Sequence, residues 1–142
     1  MRRRRTLLLV AVAVVVVGAA GVALAAFLST ESRERDRIAD VLRAEARGDA
    51  AAVQRLVQRC DDGCSFVQRV RGPGAVKIAR LDSDTAYALG GAEGWTRVVW
   101  VHGVTSRPFV QCVLVRRGGS LWDRSIELVR LRAPLADNEG SC

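Results

Sequence analysis

The chain has 142 residues, with 22 Lys+Arg against 15 Asp+Glu, a formal net charge of +7, an apolar content of 49% and an aromatic content of 5%. That length has room for one domain and little else, and an apolar content this high excludes wholesale disorder. Arg2, Arg3, Arg4 and Arg5 supply four of the positive charges, and the rest of the chain holds 18 basic and 15 acidic residues. A balance so near neutral beyond residue 5 argues against a nucleic-acid partner, and the basic charge is read as a membrane-topology signal.

Residues 1–6 form a basic segment, and Leu7 to Leu28 are 22 consecutive residues without a charged or polar side chain. At 1.5 Å per residue such a helix is about 33 Å long, against a hydrocarbon core of about 30 Å. Thirteen of the 22 are Leu, Val or Phe, each favourable for insertion. Residues 7–28 therefore read as a transmembrane signal-anchor whose partner is the lipid bilayer. Positive charge stays on the cytoplasmic side, so the expected topology is single-pass, N-terminus cytoplasmic, with residues 29–136 an extracytoplasmic domain and 137–142 a tail tied by Cys142. The alternative is a secreted protein cleaved after Ala25, since Ala23-Leu24-Ala25 fits a small-x-small cleavage site. The apolar run is longer than an ordinary signal-peptide core and continues through Phe27 and Leu28.

Cys60, Cys64, Cys112 and Cys142 all follow the apolar segment. An even count in an exported domain reads as disulfides. The short Asp61-Asp62-Gly63 connection favours Cys60–Cys64, which leaves Cys112–Cys142. Zinc on Cys60, Cys64 and His102 would leave one tight pair and a lone histidine where zinc sites show two pairs. The C-x3-C spacing also differs from that of thioredoxin-like motifs.

Beyond the anchor, Ile38, Val41 and Leu42 share one face of a helix from about Thr30 to Arg47. Gly48 suits the C′ position and Asp49 the N-cap of a second helix, Ala50 to Arg59, striped by Val53, Leu56, Val57 and Cys60. Arg35, Asp36, Arg43, Glu45 and Arg55 read as solvated faces. After a loop containing Phe66, Val67 and the Arg71-Gly72-Pro73-Gly74 turn, the period changes to two. Strands are expected at Val76–Leu81, Thr85–Leu89, Trp95–Val104, Pro108–Arg116 and Ser125–Leu135, joined by short turns as an antiparallel meander. The fold class is thus α+β: a transmembrane helix, then two helices packed on a curved antiparallel sheet of about five strands.

Two helices separated by Ala46-Arg47-Gly48-Asp49-Ala50-Ala51, followed by long antiparallel strands, resemble the nuclear transport factor 2-like (cystatin-like) superfamily. The resemblance covers about residues 30 to 135 and extends to small anchored or secreted actinobacterial proteins of that type. Arginine outnumbering lysine 21 to 1 suits a high-GC genome. The superfamily implies a curved sheet around a helix, often with a conical apolar pocket. Its isomerase and dehydratase members place Asp, His or Tyr in that cone, and other members bind partners.

His102 is the single histidine, so any His-dependent chemistry must use it. With Trp100 and Tyr87 it forms the set of pocket candidates, although no acidic partner for it lies nearby in sequence. Asp82 and Asp84 flank Ser83 in a turn, Asp123 follows Trp122 in another, and no calcium loop accompanies them. Gly90-Gly91-Ala92-Glu93-Gly94 lacks the lysine of a phosphate loop and reads as a hairpin. Trp95, Trp100 and Trp122 read as packing residues. Arg116, Arg117, Arg130 and Arg132 at strand ends could touch anionic headgroups or wall polymers. No catalytic, cofactor-binding or metal-binding residue is assigned, and no cofactor is implied. The expected role is a non-enzymatic binding or accessory module at the bacterial envelope, with an unknown envelope protein or polymer as partner. The alternative is a small-molecule binder or isomerase/dehydratase-type enzyme using an apolar cone.

Overall fold

The structure is a computed structural model describing residues 2–88, 91–103, 107–119, 124–136 and 140–142. Helix α1 covers Arg2–Arg47, and the chain divides into two compact units, residues 1–32 and 33–142. In the first unit the leucines and valines of the apolar run are exposed, Val17 to 71%. By length and composition α1 can cross a membrane. An uninterrupted apolar surface of this kind needs a lipid environment or removal on secretion, so the protein is of a single-pass membrane or secreted type.

The second unit is α+β with one five-stranded mixed sheet. From α1 it takes Glu34, Ile38, Val41, Leu42 and Glu45, one stripe at helical spacing and all buried. The helix stops at Gly48 (φ +75°), where the Gly48 N–H reaches Glu45 O (2.8 Å) and the Asp49 N–H reaches Ala44 O (3.0 Å). This is a Schellman ending, and it needs the left-handed conformation that glycine adopts without steric cost. Asp49 then caps α2 (Ala50–Leu56), its Oδ1 accepting the Ala52 N–H at 2.9 Å.

Strands β1 (Val57–Cys60), β2 (Val76–Ser83), β3 (Glu93–His102), β4 (Phe109–Gly119) and β5 (Arg124–Leu131) are arranged β1-β5-β4-β3-β2. Three further short turns, a 3₁₀ turn at Asp61–Cys64, α3 (Val67–Val70) and α4 (Thr85–Ala88), lie between them. Alternation sets the faces: Thr96, Val98, Trp100 and His102 of β3 are buried, while Trp95, Arg97, Val99 and Val101 are half-buried. Gln111, Val113 and Val115 of β4 are buried as well. With Leu128 and Leu131 of β5 they close on Ile38, Val41, Leu42, Val53, Phe66 and Val67.

Four sequence expectations are corrected. Helix α2 ends at Leu56 rather than Arg59, and Val57 is extended (φ −125°, ψ 137°). Val57–Cys60 instead pairs parallel with β5, Val57 opposite Leu128 and Cys60 opposite Leu131, so the sheet is mixed and not a pure antiparallel meander. Pairing satisfies the backbone groups that β5 would otherwise present at an open edge, and this outweighs the helical propensity of Val57, Gln58 and Arg59. The second expected strand is α4, a single turn over Thr85–Ala88. The Asp84 carboxylate receives the Tyr87 N–H (3.4 Å), and its own N–H is held by Trp95 O (2.9 Å). The last strand ends at Leu131 rather than Leu135. Beyond it two separated backbone bonds, Arg132 N–H to Cys112 O and Leu135 N–H to Val110 O, replace the ladder with β4. Leu89, Gly90, Val104, Trp122 and Asp123, and residues 137–139 of the expected tail, lie outside the described residues.

Candidate functional site

The cysteines are all bridged. Cys60–Cys64 joins the end of β1 to the 3₁₀ turn with Cα atoms 5.1 Å apart, and Cys112–Cys142 joins β4 to residue 142 across 5.6 Å. A bridged cysteine offers no thiolate to a metal or a nucleophilic step. Among the described residues no cluster of three His, Cys, Asp or Glu side chains is placed to hold a metal ion.

Tyr87 is buried, but on α4 rather than on a strand. Its hydroxyl donates to Glu34 Oε2 at 2.8 Å. Thr96 Oγ1 donates to the other carboxylate oxygen at 2.8 Å, and Arg117 Nη2 pairs with Glu34 Oε2 at 3.0 Å. The Arg117 guanidinium also lies 3.9 Å over the Tyr87 ring. Burial, then the Glu34 carboxylate, raises the Tyr87 pKa well above the ordinary phenol value, so its proton stays on the hydroxyl and donates to Glu34. This arrangement fastens α1, α4, β3 and β4 together, and its charges are spent on one another. Arg117, expected among solvent-facing strand-end arginines, thus points inward with 9% of its side chain exposed.

Trp100 and His102 do come together. Trp100 is fully buried, and His102, 4% exposed, lies on the same inward face of β3. Phe109 packs on both, with ring centroids 4.9 Å from Trp100 and 5.5 Å from His102. Gly72 lies so close that a Cβ there would sit 1.9 Å from His102 Cε1. The Trp100 indole N–H donates to Gln111 Oε1 (3.1 Å). Gln111 Nε2 in turn lies 3.2 Å from each oxygen of Glu45 and 3.0 Å from Arg132 O. Glu45 is wholly buried, not part of a solvated face, and desolvation pushes its pKa up to about 8 against the smaller opposing effect of Gln111. Tyr87 belongs to the Glu34 set, so the structure separates it from Trp100 and His102.

Glu34, Glu45 and Gln111 escape a reading based on apolar residues alone. Their signal was positional: Glu34 and Glu45 share the Ile38–Val41–Leu42 stripe, and Gln111 alternates with Val113 and Val115.

The outer surface offers a cleft of about 1200 Å³ between the C-terminal end of α1 and the segment entering β2. Its walls include Arg43, Arg47, Gln68, Arg71 and the backbone of residues 72–75. Gln68 Nε2 donates to Gly48 O (2.8 Å) and the Gly72 N–H to Ala46 O (3.0 Å), which fixes the two walls together. All three arginines are exposed. Arg132, another expected surface contact, instead lies 4.2 Å over the Trp95 ring and donates to Cys142 O at 3.1 Å. Arg116 and Arg130 pair with Glu93 and Asp61. Comparison of the chain with family models, with curated proteins and with solved structures gives no match.

Proposed function

We propose that this chain is a membrane-anchored, non-enzymatic binding module of the bacterial envelope, its disulfide-bonded domain held outside the cytoplasm by residues 7–28. The observation that carries the reading is the filled interior. Trp100, Phe66, Tyr87, Ile38, Leu42 and Leu131 occupy the space between helices and sheet, each less than 2% exposed. With its interior taken up by its own side chains, the domain acts through its surface. An apolar cone for a small molecule or an isomerase reaction would need the space that Trp100, Phe109 and His102 fill. The four arginines at residues 2–5 favour a cytoplasmic N-terminus, and two disulfides favour an oxidising compartment. The nuclear transport factor 2-like resemblance belongs to the same proposal. Helices ahead of consecutive antiparallel strands β2 to β5 support it.

The test is a pair of reporter fusions after residue 142, alkaline phosphatase and a cytoplasm-only fluorescent protein, in an actinobacterial host. Phosphatase activity retained in the membrane fraction is expected. A fluorescent, phosphatase-inactive pair overturns the topology, and release of the active fusion into the medium overturns the anchor.

A further inference from the structure

We infer that the cleft walled by Arg43, Arg47 and Arg71 binds a soluble anionic ligand that carries more than one phosphate group. The inference rests on the envelope-binder reading and names the chemistry that such a module would recognise. Arg43 and Arg47 are i,i+4 neighbours on α1, which places their Cβ atoms about 5–6 Å apart on one helix face. Arg71 comes from the opposite wall and lies across the helix end, its Cδ 2.8 Å from where a Cβ on Gly48 would be. Three arginines thus line one concavity of about 1200 Å³, far more than a single phosphate group fills. Guanidinium forks match phosphate oxygens two by two, which an equal number of ammonium groups would not do.

The charge balance of the cleft distinguishes it from the rest of the surface. On the helix surface before it, Arg33 and Arg37 lie together with Asp36 and Asp40. The described walls of the cleft contain no carboxylate. Arg43 has an exposed partner in Asp40 at 2.7 Å, a contact weak enough in water to be exchanged for a ligand. Among the described residues Arg47 and Arg71 have no acidic partner. Glu45 lies between Arg43 and Arg47 in sequence, yet its side chain is buried and its carboxyl largely protonated at neutral pH. The negative end of the α1 dipole works against an anion here. Its last carbonyls are already engaged, however: Ala44 O, Glu45 O and Ala46 O each accept a backbone N–H. Arg47 and Arg71, with Arg43 beside them, therefore leave the cleft net positive.

The experiment titrates inorganic tripolyphosphate into the full chain, held in nanodiscs of neutral phosphatidylcholine, by isothermal calorimetry at low salt. One saturable site per chain is expected. The double variant Arg47→Gln/Arg71→Gln should weaken it by at least about tenfold, the loss of roughly one charge-assisted contact. Arg116→Gln, which removes an arginine elsewhere, should leave it unchanged. Wild-type affinity in the double variant, or an equal loss in Arg116→Gln, overturns the site. Citrate binding as tightly as tripolyphosphate overturns the phosphate assignment, and loss of tripolyphosphate binding in phosphatidylglycerol discs overturns the soluble source. Active membrane-held phosphatase fusions together with no tripolyphosphate binding would sink this inference alone, whereas inactive fusions sink the envelope reading itself.

Discussion

Glu45 buries a carboxyl on the same helix stripe as Ile38 and Leu42, where the Gln111 amide lies 3.2 Å from each of its oxygens. Burial raises its pKa from 4.5 to about 8, so the folded chain holds a proton that the unfolded chain releases. The stability this proton contributes is complete below pH 4.5 and is lost as pH rises through about 8. The slope is at most about 1.4 kcal/mol per pH unit for one proton. Thermal unfolding of the full chain in nanodiscs should therefore show a falling Tm from pH 6 to pH 9. Glu45→Gln keeps the shape and a hydrogen-bonding group without the titration, so its Tm should be nearly level over that range. A wild-type Tm that rises across the same range would contradict the assignment. Glu34, eleven residues earlier on the same stripe, meets the opposite circumstance: Arg117 supplies its counter-charge. Two glutamates on one helix face thus reach the core by different means, one through an ion pair and one through a retained proton.

The turn before β2 and the end of β3 meet where Gly72 faces His102. The ring stacks on Phe109 and lies against Gly72. Gly72→Ala should cost about 1–3 kcal/mol by overpacking, seen as a lowered Tm. In a His102→Ala background, with the ring removed, the same substitution should cost less than half as much; an undiminished cost would mean that the backbone, not the ring, sets the glycine requirement. Elements with a strong local code were legible in the sequence. Gly48-Asp49 marks both a helix end and a helix start because left-handed glycine and a capping carboxylate act within a few residues. Val98, Trp100 and His102 announce a strand face by alternation. Strand β1 was hidden because its pairing with β5 is decided about 70 residues away, and four residues carry too little pattern to override a helical reading. Thr85–Ala88 was misread because its turn depends on Asp84 being fixed by Trp95 and on Tyr87 reaching Glu34, all contacts made after folding. The buried arginine and glutamates were hidden for a related reason: charge in a sequence signals exposure unless its partner is known. The arginine cleft was equally illegible, since Arg43 and Arg71 become neighbours only when the β2 turn docks on α1.

At the scale of the whole molecule, the apolar segment and the bridges set the conditions in which the domain persists. Cys112–Cys142 closes a loop of 30 residues' separation. In the chain-entropy model such a bridge contributes roughly 3–4 kcal/mol. Cys142→Ser should lower Tm correspondingly, and dithiothreitol should lower the wild-type Tm while adding little to the effect of the variant; a reductant effect of equal size in Cys142→Ser would assign the stability to Cys60–Cys64 instead. The pairing of β1 with β5 also has a temporal side. A ribosome delivers residue 60 before residue 124, and at about 5–20 residues per second the interval is roughly 3–13 s. Throughout that wait the first strand exists without its neighbour, and every intervening strand is made before the sheet can admit it. The ring closed by Cys60 and Cys64 requires nothing synthesised later. It is a clasp that can be fastened early at the tip of a strand whose place in the fold is reserved until the last strand arrives.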